Sequence, residues 1–122
     1  MGETPVKVSL VGLNFSDPTA EFWDGVSLGL YALRGYAYRS PEVRKRATIE
    51  IRDLPLTQRH VGVEHLLDAD TEVLGISCAS WSVPWAERLA REARARHPEL
   101  WVWYGGDCAP RLLDRNVLSW TP

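Results

Sequence analysis

Four short apolar segments, separated by stretches with helical spacing, restrict the fold more than any other feature of this sequence. The segments cover residues 6–13, 47–54, 73–78 and 100–104. The first and third are continuously apolar, which is typical of strands buried on both faces. The second alternates apolar with polar residues and therefore predicts a strand with one solvated face, as at the edge of a sheet.

The stretches between these segments carry helical patterns. Apolar residues recur at helical spacing within residues 24–39, and Pro41 predicts the end of that helix. Residues 57–69 show a weaker helical pattern, and a short helical segment is predicted near residues 110–116. A longer helix is predicted after Ser82, which could cap it. The predicted buried face of that longer helix consists of Trp85, Ala86, Leu89, Ala90 and Ala93.

Strands and helices thus alternate, which predicts parallel strands joined by right-handed crossovers, with helices on both faces. The solvated second strand fits an edge, and the apolar first and third strands fit central positions. We therefore expect one α/β domain over residues 1–122, a flavodoxin-like (Rossmann-like) doubly wound parallel sheet with strand order 2-1-3-4. A fifth strand would be short or missing, because only residues 117–122 follow the last helical segment.

The fourth apolar segment has no predicted neighbour on its outer side. Trp101 and Trp103 face one way and Val102 and Tyr104 face the other, so the strand is apolar on both sides. Either residues 117–122 form a minimal fifth strand, or another chain covers this edge. We favour a partner chain, and thus a hetero-oligomer.

Composition and motifs exclude several classes of function. The net charge of −2 over 122 residues predicts no general attraction to nucleic acid or to an acidic membrane. Cys78 and Cys108 lie far apart without CxxC spacing, so we expect neither a zinc site nor an iron–sulfur cluster held by this chain alone. No apolar run approaches the roughly 18 residues that span a bilayer, and no signal-like segment begins the sequence, which predicts a soluble, cytoplasmic protein.

Ligands of doubly wound sheets bind beyond the carboxyl ends of the strands, near the point where the strand order reverses. Three loops would meet there, at residues 14–17, 79–82 and 105–109. They contain neither GxGxxG nor GxxxxGK[ST], which excludes a dinucleotide fingerprint and a P-loop. They are instead rich in serine and glycine, which let a large flat ligand approach the backbone and form hydrogen bonds without charge. This favours a bulky, neutral, amide-rich cofactor, although each serine could also be a cap and the glycine pair a tight turn.

Four motifs resemble the cobalamin-binding domain of cobalamin-dependent radical SAM methyltransferases. They are SLGLYAL (27–33), EIRDL (50–54), LGISCASWS (74–82) and WVWYGGDCAP (101–110). The resemblance implies a corrin ring over the three loops, with its nucleotide tail running into a groove at the sheet edge. The cofactor-binding positions that it implies are Asn14, Phe15, Ser77, Ser80, Trp81, Ser82, Gly105, Gly106 and Asp107.

Two of these positions have an alternative interpretation from their residue types alone. Trp81 either stacks against the corrin or fills space above the sheet, and Asp107 is equally suited to a turn. The sequence lacks the DxHxxG element that gives a histidine to cobalt, and its histidines His60, His65 and His97 fall elsewhere. We therefore expect cobalamin bound without a histidine below the metal, and no metal-ligating residue from this chain.

The sequence departs from the resembled family in lacking the CxxxCxxC motif and the barrel that carries it. Such a chain cannot generate a radical by itself, so we name no catalytic residues. The resemblance then implies a stand-alone cobalamin subunit, whose radical SAM partner supplies the iron–sulfur cluster and S-adenosylmethionine. The alternatives are an excised fragment, a non-catalytic interaction or regulatory module without cofactor, and, more distantly, a flavin-binding module.

Overall fold

The residues that the computed structural model describes are 4–14, 28–55, 60–77 and 82–105. Its strands are β1 (Val6–Asn14), β2 (Ala47–Pro55), β3 (Val73–Ser77) and β4 (Trp101–Gly105). All three pairings are parallel, and the strand order is β2-β1-β3-β4. The flavodoxin-like α/β fold and its strand order are therefore confirmed. The segments at 110–116 and 117–122 lie outside the described residues.

One side of the sheet, which we call the core face, packs against the helix that joins β3 to β4. That helix, α3 (Val83–Arg96), buries all five residues predicted for its inner side. They meet a cluster that includes Leu74 and Ile76 of β3, together with Val102 and Tyr104 of β4. Ser82 occupies the N-cap position, but its side chain makes no capping hydrogen bond, so that part of the prediction is wrong.

The segment between β1 and β2 contains two helices where one was predicted. The first, α1 (Leu28–Ala37), ends before Pro41 as expected. The chain then begins α2 (Pro41–Arg46), in which the Val43 amide donates a hydrogen bond of 3.4 Å to Ser40 Oγ. A serine followed by proline is also a favourable helix start, because serine caps the first turn and proline suits the first helical position.

The predicted helix over residues 57–69 is wrong within the part described, which begins at residue 60. Only a single 3-10 turn, Val63–His65, forms there. Val63, Leu66 and Leu67 nevertheless enter the core, so the apolar spacing reflected burial rather than a continuous helix. No helix in the described ranges is both long and apolar enough to cross a membrane.

The other side of the sheet, which we call the open face, carries α1. A right-handed crossover places its helix on a face that depends on the direction in which the chain crosses the sheet. The chain crosses in one direction from β1 to β2 and in the opposite direction from β3 to β4, so α1 and α3 lie on opposite faces. The open face consists of alternate residues of the strands, since paired residues of neighbouring strands point to the same side. Its middle rows contain Val8, Leu10 and Gly12 of β1, Val73, Gly75 and Ser77 of β3, and Trp101, Trp103 and Gly105 of β4.

Candidate functional site

A row of small residues crosses the carboxyl ends of three neighbouring strands. The strand register places Gly12 of β1 beside Ser77 of β3, and Ser77 beside Gly105 of β4. Gly12 is buried, Ser77 is half-buried and Gly105 is exposed. No bulky side chain therefore arises from these three positions on the open face, at the end of the sheet where doubly wound folds bind ligands.

Four of the nine predicted cofactor-binding residues lie in the described part of the chain. Asn14 is the last residue of β1, Ser77 ends β3 and Gly105 ends β4. Ser82 is fully buried where α3 begins. The fold thus brings all four to the carboxyl edge of the sheet. The other five lie outside the described residues and stay predictions: Phe15, Ser80, Trp81, Gly106 and Asp107.

Gly12 belongs to this row, and the sequence analysis missed it. Gly12 lies within β1, two residues before its end, so the sequence offers no reason to assign it to a loop. Only the strand register shows that it lies beside Ser77. Gly75 differs from Gly105 because it is closely packed: an added Cβ at Gly75 would lie 2.7 Å from Leu10 Cδ2. At Gly105 an added Cβ would meet no atom within 4 Å. Packing against the described residues therefore explains the absence of a side chain at Gly75 but not at Gly105.

The three histidines lie away from this row. His60 is exposed, and His65 is exposed in the 3-10 turn with its Nε2 3.7 Å from Glu64 Oε1. His97 directly follows α3, before β4 begins, and so lies at the opposite, amino end of the sheet. No group of three or more potential metal ligands occurs among the residues described.

The main charge cluster also lies at the amino end of the sheet. Lys7 Nζ donates a short hydrogen bond to Asp68, and it lies 3.7 Å from Glu50 Oε1 and 3.5 Å from Asp70 Oδ1. The bond from Lys7 holds the pKa of the Asp68 carboxyl below its ordinary value of 3.8. The same bond raises the pKa of Lys7 above 10.5. The cluster ties β1 to the loop that precedes β3 and has a structural role.

Replacing this carboxylate, Asp68→Asn, is expected to flatten the acid side of the stability profile. A carboxylate whose pKa is lowered by folding contributes stability that is present above its unfolded pKa and is lost as the pH falls through its lowered pKa in the folded protein. The raised pKa of Lys7 means that its own contribution is lost only at alkaline pH. Urea midpoints at pH 6 and pH 3 should therefore differ less in the variant than in the wild-type chain.

The control for this prediction is Glu42→Gln, which removes an exposed carboxylate that pairs with Arg46 on α2. Exposed helix pairs contribute little, so this variant should lose stability in acid as the wild-type chain does. Equal acid losses in the wild-type chain and in Asp68→Asn would contradict the assigned role of the Lys7–Asp68 bond.

A groove of about 930 Å³ opens at the amino end of the sheet. Its apolar floor is formed by Val6, Val73, Trp101 and Trp103, all on the open face. This groove is at the opposite end from the row of Gly12, Ser77 and Gly105. It is therefore a second feature, separate from the predicted cofactor site.

Comparison with known proteins gave no match, either to a family model or to a curated protein.

Proposed function

We propose that this chain is the cobalamin-binding subunit of a split radical SAM methyltransferase and acts in the cytoplasm. The observation that carries the proposal is the row of Gly12, Ser77 and Gly105 across the carboxyl ends of β1, β3 and β4. This row lies where the strand order reverses, since β1 has β2 on one side and β3 on the other. Doubly wound folds use this position for ligands.

The residues that surround this row fit a large neutral cofactor. Gly105 is exposed and has open space where a side chain would stand. Ser77 offers a hydroxyl that can donate to or accept from an amide, and Asn14, the last residue of β1, is a predicted contact. None of these three residues is charged, which suits the amide-rich periphery of a corrin. The register continues the row from Gly12 to Asp53 of β2, which is its one charged residue.

Bound cobalamin would supply the cobalt that carries a methyl group from S-adenosylmethionine to a substrate radical formed in the partner chain. The role of this chain is to hold and orient the corrin. Gly12, Ser77 and Gly105 would let the nucleotide tail approach the backbone of the sheet. The loops that contain Phe15, Ser80, Trp81, Gly106 and Asp107 would complete the cofactor site, and the partner would provide every catalytic residue.

The proposed radical SAM partner would cover the β4 side of the sheet. The support is the exposure of Trp101 and Trp103, which are 44% and 52% exposed. Indole rings of this size are enriched in the cores of protein interfaces.

Reconstitution tests the proposal. The purified full-length chain is incubated with hydroxocobalamin, passed through a desalting column, and examined for retained corrin absorbance. We expect stoichiometric retention. If cobalamin is retained only after co-expression with a radical SAM partner, part of the cofactor site lies at the interface with that partner. Absence of corrin in both preparations would contradict the proposal and favour a cofactor-free interaction module.

A further inference from the structure

The exposed large apolar side chains of this molecule are concentrated on one side. In the described part of the chain there are six of them, and all belong to the open face or to α1, which lies on it. They are Val6, Tyr31, Leu33, Tyr36, Trp101 and Trp103. Exposed apolar surface that is concentrated in this way marks an interaction site rather than the scatter of single residues found on most surfaces.

Helix α1 presents apolar residues to solvent. Gly29, Ala32, Leu33 and Tyr36 are exposed and recur at the i, i+3, i+4, i+7 spacing of one helix face. Leu30 and Ala37, on the adjoining side of the helix, are half-buried. A helix that is apolar on both sides is normally buried. The described residues leave the outer side of α1 exposed, so it is available for contact with another surface.

The two halves of the open face differ: α1 packs on the β2 half, and a groove lies beside β4 on the other half. Helix α1 occupies the β2 half, where the Ile49 amide of β2 donates a 2.8 Å hydrogen bond to Tyr38 Oη, just beyond α1. On the other half, Trp101 and Trp103 of β4 stay about half exposed beside the groove of about 930 Å³. Within the described ranges, one half thus has a helix with an exposed outer side, and the other has a partly exposed sheet surface.

We propose that a second copy of this chain covers the open face, so that α1 of each copy lies over β3 and β4 of the other. A two-fold axis parallel to the strands produces this arrangement, because it places the β2 half of one sheet opposite the β4 half of its partner. The two contact zones are then identical, as a closed two-fold dimer requires. The inference does not depend on cobalamin and goes beyond the proposed function.

The charges at the amino end of the sheet support this orientation. Beside β2 the exposed basic residues are Arg39, Arg44 and Lys45, together with Arg46, which is paired with Glu42 at 3.3 Å. On the β3–β4 side the loops carry the exposed acidic residues Glu72 and Glu99, while Asp70 is paired with Lys7 at 3.5 Å and Arg96 with Glu64 at 3.6 Å. An axis parallel to the strands keeps both amino ends together, so the basic half of one copy meets the acidic half of the other. Complementary charges of this kind select orientation.

The size of the surface suits a weak, transient dimer. Each aromatic side chain buries about 150–250 Å² when fully covered, so half-exposed aromatics and their surroundings supply on the order of 1,000 Å² for both copies together. Stable interfaces start at about 1,200 Å². We therefore expect a dissociation constant in the micromolar range. The radical SAM partner would compete for Trp101 and Trp103, so self-association describes the chain without that partner.

The test is sedimentation of the full chain from about 1 to about 300 µM, a range that brackets a micromolar dissociation constant. The wild-type chain should pass from monomer to dimer. Leu33→Glu on α1 and Trp103→Glu on β4 should each weaken dimerisation at least tenfold. The matched control is Ala95→Glu, at an exposed position of α3 on the other side of the sheet, which should dimerise as the wild-type chain does.

An equimolar mixture of Leu33→Glu and Trp103→Glu gives the decisive result. In a mixed dimer both substitutions fall in one contact zone and the other zone is wild type, so the mixture should dimerise more strongly than either variant alone. Circular dichroism verifies that each variant is folded. A monomeric wild-type chain, an unaffected Leu33→Glu or Trp103→Glu variant, a mixture without recovery, or an equally weakened Ala95→Glu would each overturn the proposal.

Discussion

Replacing Gly105 with leucine is expected to reduce cobalamin retention at least tenfold while changing the free energy of unfolding by no more than about 0.5 kcal/mol, as is usual for exposed positions. Nothing lies within 4 Å of an added Cβ at this position, so a side chain can begin there without a clash with the described protein atoms. The leucine would instead occupy space that the proposed function assigns to the nucleotide tail. Corrin absorbance retained after desalting measures the first quantity, and urea denaturation measures the second.

Gly35→Leu is the matched control for this prediction. Gly35 is exposed in α1, and an added Cβ there also meets no atom within 4 Å. The substitution should raise helix stability by up to about 1 kcal/mol, because glycine is a poor helix former, and it should leave cobalamin retention unchanged. Unchanged retention in Gly105→Leu, or equal losses in both variants, would contradict the assignment of the row to the cofactor.

Truncating Leu89 to alanine is expected to lower the free energy of unfolding by about 2–5 kcal/mol. Leu89 is 1% exposed and lies in the middle of α3 against the core face. Its truncation removes buried apolar area and leaves a cavity that the rigid sheet cannot fill. A loss of this size is a large part of the roughly 5–15 kcal/mol by which small domains are stable. Urea denaturation followed by circular dichroism at 222 nm gives the value.

Leu33→Ala provides the chemically identical control. Leu33 is 54% exposed, so the same truncation should cost less than about 1 kcal/mol when it is measured on dilute, monomeric protein. Comparable losses at the two positions would mean that α3 does not form the core described above. A large loss at Leu89 alone would support the division of the sheet into a core face and an open face.

Local sequence patterns contained most of the architecture. The alternation in β2 and the continuous apolar runs of β1 and β3 were sufficient for the order β2-β1-β3-β4, and helical spacing identified every buried residue of α3. The sequence pattern led to wrong predictions where the same local motif is compatible with two structures. Ser40-Pro41 ended one helix but also began α2, and the apolar spacing near Val63 produced burial with only one turn of helix.

The candidate site was only partly accessible to the same reasoning. Asn14, Ser77 and Gly105 could be placed at strand ends from the sequence, because parallel strands end at the same edge. The inclusion of Gly12, and the distinction between Gly105 and the tightly packed Gly75, required the register and the atoms around each glycine. The Lys7–Asp68 bond joins residues 61 positions apart, and no local pattern indicates such a contact.

The amino-acid sequence by itself determined the four strands, their order in the sheet and the inner side of α3, because periodicity and burial are encoded within each segment. Only the tertiary structure decided which small residues share a row, which half of the open face stays uncovered, and which charges meet at the amino end. Those features depend on hydrogen-bond register and on packing between segments that are distant in the chain. The sequence of a single segment contains no information about either.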